Sequence, residues 1–466
     1  MAFRWLCLAA AVLALGLPVR GQNNTAGQGI ITVQDGKFVD AGCREFQFSG
    51  GNVWMLMEAA AGKLKPNGAF PNGQTVTQHL FSQAVADNIQ VIRAFAHGAT
   101  PNFILQTAPG EYNEEAFMAL DQIIADADAA GAKLILTLTD NWRTDDGLLG
   151  YVYWAGGKHP EEFYVNSAVI ALYKNHQRAM ANRVNTITNR KYKDEPAIFA
   201  WDLINEPRSH CDIAKPNATC EAGETAAIQA WIQQAADNMK LEDPNHTVTV
   251  GEEGFYGFGA PAASLATNPN SDNTGWATKS GQNFLENHRP ASIDFCATHI
   301  WTDNWAVNTT DGMNPTDFIS KWVAQRAADA SSLGKPLIIE EFGKQLQDFS
   351  AASIAETRDP IFSAIYASLQ NLDSVKGVAY WEHDYLKGAT KSDNLVRRGY
   401  STFTNILLPA AKAVGAKVAA LPPINGCVPG PVMASTGGGI TSSLMSPVNS
   451  SQPPSVATSG RKLLAV

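Results

Sequence analysis

The sequence predicts an α/β protein, a single (β/α)8 TIM barrel with long loops at the C-terminal ends of its strands. Short apolar runs alternate with helix-like segments eight times over about 380 residues. Several of these runs are apolar throughout, which is typical of parallel strands buried on both faces. Two of the runs end abruptly in acidic residues, at 206 and at 340–341. The C-terminal ends of the strands are where barrels of this class hold their functional side chains.

The elements follow from the chain in order. A small hairpin around Asp35 and Gly36, made of residues 30–39 and 43–48, could close the bottom of the barrel. The predicted strands are 46–54, 91–96, 133–139, 198–205, 247–251, 293–301, 336–341 and 375–381. The predicted helices are 76–88, 114–130, 167–188, 225–241, 316–332, 353–372 and 402–420, and 254–281 is predicted as a long loop.

Length and composition favour one large globular domain. The chain has 466 residues, of which 45% are hydrophobic and 17% charged, and its formal net charge is -9. This acidic balance, without a basic patch, argues against nucleic acid as a partner. Residues 1–21 are predicted as a signal peptide and 22–427 as the barrel domain. Residues 428–466, rich in Gly, Ser, Pro and Thr, are predicted as a disordered tail.

The N-terminal apolar run is too short for a membrane anchor, and no other segment could span a bilayer. We therefore expect a secreted, extracellular protein, in the cell wall or outside it, with no membrane partner. Five Asn-x-Ser/Thr sequons are compatible with this route: Asn23, Asn217, Asn245, Asn308 and Asn449.

Export also permits disulfides. Five cysteines remain after the signal peptide is removed, and none of their spacings indicates a zinc site. Cys211 and Cys220 flank a short polar loop, and we expect them to be bridged. Cys43 and Cys427 could pair by joining the chain ends, although several pairing schemes are open. Cys296 lies in an apolar strand and is predicted to be buried and free.

The run 197–208, Ala-Ile-Phe-Ala-Trp-Asp-Leu-Ile-Asn-Glu-Pro-Arg, carries the first candidate for chemistry. Pro207 should end the strand and favour an extended conformation at Glu206. Asn205 and Glu206 would then lie at the C-terminal lip of a buried strand. A second apolar run ends in Glu340 and Glu341. The ends of both strands should lie at the same face of the barrel, so these carboxylates are expected in one cleft.

Asn-Glu-Pro after an apolar strand resembles the acid/base signature of glycoside hydrolase family 5. Further segments, Gly-Gly-Asn-Val-Trp-Met-Leu-Met near strand one and Thr-Val-Gly-Glu-Glu-Gly-Phe-Tyr-Gly after strand five, resemble the plant-type endo-β-1,4-mannanases of that family. The resemblance runs from about residue 30 to 420, nearly the whole folded part. It implies retaining hydrolysis of internal β-1,4 bonds in a mannan-type polysaccharide. It implies no cofactor, neither a metal nor an organic group, and we expect a monomer.

The resemblance also implies roles for the acidic residues. Glu206 would be the proton donor, and Glu341 the nucleophile, because the family's nucleophile precedes Phe-Gly. Strand alternation lets only one of two adjacent glutamates face the barrel axis, so Glu340 would be a solvated carboxylate or one that supports the site. Arg93 matches the family's arginine beside the nucleophile, and its charge should keep Glu341 ionised. Glu206, without such a partner, should hold its proton to higher pH.

The substrate-binding residues implied by the resemblance are Trp54, Arg93, Asn205, His299, Trp301 and Trp381, with Trp142 and Trp154 as weaker candidates for neighbouring subsites. The chain departs from the subgroup at one of them. The subgroup has His-x-Tyr where this chain has His299-Ile-Trp301, and an indole N–H can only donate a hydrogen bond. Two other functions therefore stay open: a β-1,4-glucanase of the same family, and a polysaccharide-binding protein that has lost turnover.

Overall fold

The structure is a computed structural model that describes residues 29–101, 103–142, 145–209, 222–269, 275–307, 313–388 and 392–432, with only the backbone of 222–224. The predicted signal peptide, the predicted Cys211–Cys220 bridge and most of the predicted tail lie outside the described residues.

Eight parallel strands form the barrel, which confirms the predicted fold. They are β1 (Phe48–Asn52), β2 (Ile89–Phe95), β3 (Lys133–Thr137), β4 (Ile198–Asn205), β5 (Thr247–Gly251), β6 (Cys296–Ile300), β7 (Leu337–Phe342) and β8 (Val375–Tyr380). Their order in the sheet is β5-β4-β3-β2-β1-β8-β7-β6. The two end strands approach each other, because the Asp294 N–H donates to the carbonyl of Val248 at 2.8 Å. The sheet is therefore a nearly closed barrel.

The main helices lie between the strands. They are α1 (Val76–Ala86), α2 (Glu114–Ala130), α3 (Ser167–Asn182), α4 (Ala222–Glu242), α5 (Phe284–Asn287), α6 (Pro315–Ser332), α7 (Asp359–Asn371) and α8 (Leu408–Ala420). Shorter helical segments are Leu56–Ala60, Pro71–Gly73, Leu148–Trp154, Glu162–Val165, Tyr192–Asp194, Ala262–Leu265, Thr278–Ser280, Ala351–Ser353, Ile354–Arg358 and Thr402–Leu407. Among the described helices, none has the length and apolarity that a membrane span requires.

Two of the secondary-structure predictions, for residues 167–188 and 254–281, were wrong in detail. The helix predicted over 167–188 ends at Asn182, because Asn185 Oδ1 accepts hydrogen bonds from the backbone N–H groups of Ile187 and Thr188. This side chain thus replaces helical hydrogen bonds with a turn. The predicted long loop 254–281 contains Ala262–Leu265 and Thr278–Ser280 as short helices.

The predicted hairpin closes the N-terminal end of the barrel, within a sheet of three short antiparallel strands. These strands are Thr32–Gln34, Lys37–Val39 and Glu45–Phe46. Phe38 packs edge-on against Phe199 and Phe295, with ring centroids 5.0 and 5.2 Å apart. Both of these phenylalanines are fully buried: Phe199 lies on β4, and Phe295 directly precedes β6. These apolar side chains fill the N-terminal end of the barrel. The polar cleft lies at the opposite, C-terminal end.

A disulfide joins Cys43 to Cys427, one of the pairings that the sequence left open. It connects the N-terminal sheet to the segment that follows α8. In the same segment, Val432 forms an antiparallel bridge with Gly29. Cys296 is buried and free, as predicted.

Loss of the Cys43–Cys427 bridge is expected to lower the free energy of unfolding by about 2–4 kcal/mol. The bridge restricts the unfolded chain, because its two cysteines lie 384 residues apart. Thermal unfolding of the wild type and of a Cys43→Ser, Cys427→Ser double variant, each with and without dithiothreitol, measures the effect. Dithiothreitol should lower the melting temperature of the wild type. The part of this decrease that is missing in the double variant is due to the Cys43–Cys427 bridge. Equal melting temperatures of the two proteins without reductant would contradict the expectation.

Candidate active site

Glu206 follows β4 and reaches the cleft through an unusual backbone conformation. The strand ends at Asn205, as predicted, but Glu206 has φ 49° and is left-handed rather than extended. Its N–H donates to the carbonyl of Gly251 at the end of β5, at 2.6 Å. The tertiary hydrogen bond thus overrides the local preference that Pro207 imposes on Glu206. Such conformations of non-glycine residues are uncommon and concentrate at functional sites.

Arg93, on β2, is the buried cation at the centre of the site. Its Nη1 donates to Glu341 Oε1 at 2.5 Å and to Asn52 Oδ1 at 3.2 Å. Its Nη2 donates to Asp202 Oδ2 at 2.8 Å and to Asn205 Oδ1 at 2.9 Å. The structure therefore places Arg93 beside Glu341, as the resemblance implied. Sequence reasoning missed Asn52 and Asp202, although both lie within the segments that carry the resemblance.

Glu340 also faces the interior, so the prediction from strand alternation was wrong. Its side chain is fully buried, and its oxygens lie 3.5 Å from Arg93 Nε and 3.5 Å from His299 Nε2. The register of β7 against β8 shifts between Ile339 and Phe342. Such an irregularity allows two successive residues to face the same side of a sheet. The sequence analysis left Glu340 as either a solvated carboxylate or one that supports the site. Its burial excludes the first alternative.

His299, at the end of β6, connects the two predicted catalytic glutamates. Its Nδ1 lies 2.8 Å from Glu206 Oε1 and 3.6 Å from Glu341 Oε2. Burial acts to lower the pKa of His299, but the charges of Glu341, Glu206 and Glu340 outweigh it and raise this pKa well above its usual value. The raised pKa favours the imidazolium form, in which Nδ1–H donates to Glu206 Oε1.

This cation reverses the predicted order of the glutamate pKa values. Burial acts to raise the pKa of Glu206, but the hydrogen bond and charge of His299, with smaller effects of Arg208 and Trp142, lower it below the usual range. Burial raises the pKa of Glu341 more than His299 and Arg93 lower it. The expectation that Glu206 lacks a charged partner was wrong, because His299 is brought to it from a distant part of the chain.

Three of the tryptophans that line the cleft, Trp54, Trp301 and Trp381, lie against one another. Trp301 Nε1 donates to Glu341 Oε2 at 3.4 Å, so the indole reaches the carboxylate that a family tyrosine would contact. Trp301 lies edge-on to Trp381, with centroids 6.4 Å apart, and Trp381 stacks against Trp54 at 6.3 Å. A Cβ at Gly343 would lie 2.6 Å from the Trp301 ring, so only glycine leaves room for the indole there.

The cleft has two parts that meet at Glu206. One cavity of about 470 Å³ is lined by Trp54, Phe95, Asp140, Trp142, Asn205, Glu206, Trp301, Asn304, Glu341, Trp381 and Asn394. The other, of about 410 Å³, is lined by Trp142, Glu206, Arg208, Glu253, Trp276, Trp301, Asn304 and Trp305. The cleft thus continues from the cavity that holds both carboxylates past Glu206 into the second cavity.

Trp142 lies at the junction of the two cavities, where its Nε1 donates to Glu206 Oε2 at 2.8 Å. Sequence reasoning did not single out the second cavity's Arg208, whose guanidinium lies 5.3 Å from the ring centroids of Trp142 and Trp276. The sequence held two signals for this side: its many tryptophans, and the position of Arg208 and Glu253 within segments that the sequence analysis had already singled out. Trp154, the remaining candidate, packs edge-on against Tyr151 at 5.2 Å and is absent from the lining of both cavities.

The site already balances much of its charge with side chains of the protein. Atoms of Glu206, His299 and Glu341 lie within 4.8 Å of one another, close enough to share a cation. However, His299 Nδ1 is engaged by Glu206, and Glu341 Oε1 accepts from Arg93. This donor set is satisfied by hydrogen bonds, and we assign it no metal.

Comparisons with known proteins agree with this geometry. A family model described as GH family 5 beta-mannosidase-like matches residues 28–404. Mannan endo-1,4-beta-mannosidase 4 of Oryza sativa subsp. japonica is 33% identical over 410 residues, which cover 86% of this chain and 83% of the rice protein. Mannan endo-1,4-beta-mannosidase 1 of Arabidopsis thaliana is 33% identical over 359 residues, which cover 76% of this chain and 81% of that protein.

A solved structure is similar as well. The endo-1,4-beta-mannanase from Rhizomucor miehei matches with a TM-score of 0.67 at 24% identity, over 83% of this chain and 99% of that one. This likeness supports the barrel fold, while the family assignment rests on the sequence matches. Together with the paired glutamates at the ends of β4 and β7, those matches establish that the chain is a glycoside hydrolase and belongs to the beta-mannosidase-like members of family 5.

Proposed function

We propose that this glycoside hydrolase is a secreted, retaining endo-β-1,4-mannanase. The observation that carries the proposal is the cleft, which continues from the cavity lined by Glu206 and Glu341 past Glu206 into a second cavity. An enzyme that cuts inside a polymer must hold sugar units on both sides of the broken bond. The aromatic side chains in both halves supply flat apolar faces on which sugar rings can stack.

The spacing of the glutamates supports retention. An oxygen of Glu206 lies within 4.8 Å of an oxygen of Glu341. Retaining enzymes have their carboxyl groups about 5–5.5 Å apart, whereas inverting enzymes need room for a water molecule between them. Glu341 would attack the anomeric carbon, and Glu206 would protonate the departing oxygen. Glu206 would then remove a proton from the water that releases the sugar from Glu341.

His299 supplies a route by which Glu206 becomes the acid. The proton on Nδ1 faces Glu206 Oε1 at 2.8 Å. Its transfer along this hydrogen bond leaves a neutral imidazole and a protonated Glu206. Arg93 and Trp301 hold Glu341 by its two oxygens, so its carboxylate stays aimed at the cleft while the proton moves.

The mannan substrate is supported by the names of the rice and Arabidopsis relatives. Incubation with mannan and with carboxymethylcellulose, followed by measurement of new reducing ends, tests it. We expect release from mannan only, with viscosity falling well before most bonds are broken. Release mainly from carboxymethylcellulose would favour the glucanase, and binding of mannan without release would favour the non-catalytic protein.

Trp301→Phe is expected to lower kcat/KM on mannan about tenfold, the lower end of the effect of a lost hydrogen bond to a charged group. The contact that it removes is the 3.4 Å hydrogen bond from the indole to Glu341. Trp301→Tyr is the matched control, because it restores a donor, and its kcat/KM should lie closer to that of the wild type than the kcat/KM of Trp301→Phe does. Equal rates of the wild type and Trp301→Phe would show that the indole N–H contributes nothing.

Secretion is supported by the signal-like N-terminal sequence and by the Cys43–Cys427 disulfide, since disulfides persist in oxidising compartments. Expression of the full chain in a secretory host tests it. We expect protein in the medium whose N-terminus begins close to residue 22. Retention of the intact N-terminus inside the cell would contradict the proposal.

A further inference from the structure

Glu340 is a buried carboxyl group that the reaction described above does not use. It precedes Glu341 on β7, and its side chain has no exposure to solvent. Among the described residues, neither of its oxygens has a hydrogen-bond partner. Its contacts are two cations at 3.5 Å, His299 Nε2 with one oxygen and Arg93 Nε with the other. A buried acidic group without hydrogen bonds is unfavourable for folding, so its place beside the catalytic histidine needs an explanation.

The His299 ring lies between two glutamates, one at each nitrogen. Nδ1 faces Glu206 at 2.8 Å and Nε2 faces Glu340 at 3.5 Å. The partner at one ring nitrogen determines which nitrogen of a neutral imidazole holds the proton. A carboxylate at Nε2 favours a proton there. Nδ1 is then the nitrogen that can give a proton to Glu206 and take it back.

We infer that Glu340 is a positioning residue that acts through His299, keeping Nε2 protonated so that Nδ1 exchanges a proton with Glu206. The inference rests on the proposed function, in which Glu206 is the acid and base. The exchange is balanced: imidazolium and carboxylate become imidazole and carboxylic acid, with one proton moved. Glu340 is absent from the lining of both cavities, so it exerts this effect without touching the substrate.

Several other charged groups surround the His299 ring. They are Glu206 after β4, Glu252 and Glu253 after β5 and Glu341 on β7. Arg93 on β2 contacts two of the ring's carboxylate partners, Glu340 and Glu341. Of the ion pairs described for the ring, only the one with Glu340 involves Nε2. Removing the Glu340 charge therefore takes away the partner of one nitrogen and leaves the partners of the other.

Nitrogen-15 NMR of histidine-labelled protein tests the inference without any substrate, with a His299→Asn variant to identify the signal. In the wild type we expect both ring nitrogens of His299 to be protonated at neutral pH. In Glu340→Gln we expect the pKa of this imidazole to fall by about one unit or more, because an opposite charge has been removed. If Glu340→Gln does not fold, the same titration is done with Glu340→Met, which also lacks the charge. An unchanged titration would overturn the inference.

Kinetics separate positioning from mere support of the fold. With mannohexaose, whose leaving group must be protonated, kcat/KM of Glu340→Gln is expected to fall about tenfold. With a 2,4-dinitrophenyl β-mannobioside, whose leaving group departs without a proton, kcat/KM is expected to be unchanged. Equal losses on both substrates, or no loss on either, would overturn the inference.

Glu45→Gln is the matched control for these kinetics. Glu45 is a buried acid paired with Lys376 at 2.7 Å, at the opposite end of the barrel, and its replacement should change neither rate. If the wild type cleaves neither substrate, the proposed function fails, and the NMR titration still decides the role of Glu340.

Discussion

Glu341→Gln is expected to lower kcat on mannan by about 10⁴- to 10⁶-fold, the scale on which loss of a catalytic nucleophile acts. An amide oxygen is a far weaker nucleophile than a carboxylate, while its shape allows the hydrogen bonds of Arg93 and Trp301 to be kept in part. Steady-state rates of release of reducing ends, with thermal unfolding to establish that the variant is folded, measure the loss.

Glu340→Gln is the matched control for that change, because both residues are buried glutamates on β7 that contact Arg93. We expect it to retain about a tenth of the wild-type activity. The two variants should therefore differ by at least about a thousandfold. An inactive Glu340→Gln together with an active Glu341→Gln would assign the nucleophile to Glu340.

Glu206→Ala is expected to lower kcat on mannan by about 10²- to 10⁴-fold, the usual contribution of a general acid and base. The loss should depend on the leaving group. With a 2,4-dinitrophenyl β-mannobioside the first step needs no proton, so a rapid burst of dinitrophenolate should be followed by slow turnover. The slow phase arises because no base remains to activate water.

Azide supplies the control for this prediction, since it is a nucleophile that needs no base. Added azide should accelerate the slow phase of Glu206→Ala and have little effect on the wild type. A burst that is slowed as much as the hydrolysis of mannan would show that Glu206 is not the acid.

The barrel was predictable because its signals are local. The strand over 198–205 was predicted with the bounds that the structure has, since a continuous apolar run followed by Asn-Glu-Pro depends on neighbouring residues alone. The family assignment was predictable for a related reason. Its motifs lie at the ends of separate strands, and the barrel brings those ends together without any further information.

The charges of the site were not predictable in the same way. The left-handed conformation of Glu206 depends on a hydrogen bond to Gly251, and its low pKa depends on His299, 93 residues away. The burial of Glu340 depends on a register shift between β7 and β8. Each of these features depends on a contact between segments that are distant in the sequence. Such a contact cannot be predicted from residue types or from their spacing.

Proton NMR of the first products from mannohexaose is the measurement that tests the central claim most directly. A retaining endo-β-1,4-mannanase should release mannobiose, mannotriose or mannotetraose from internal cleavage, with the new reducing end first in the β configuration. The α anomer should appear only later, as mutarotation proceeds. A first product with the α configuration, or release of single mannose units from one end of the substrate, would contradict the account.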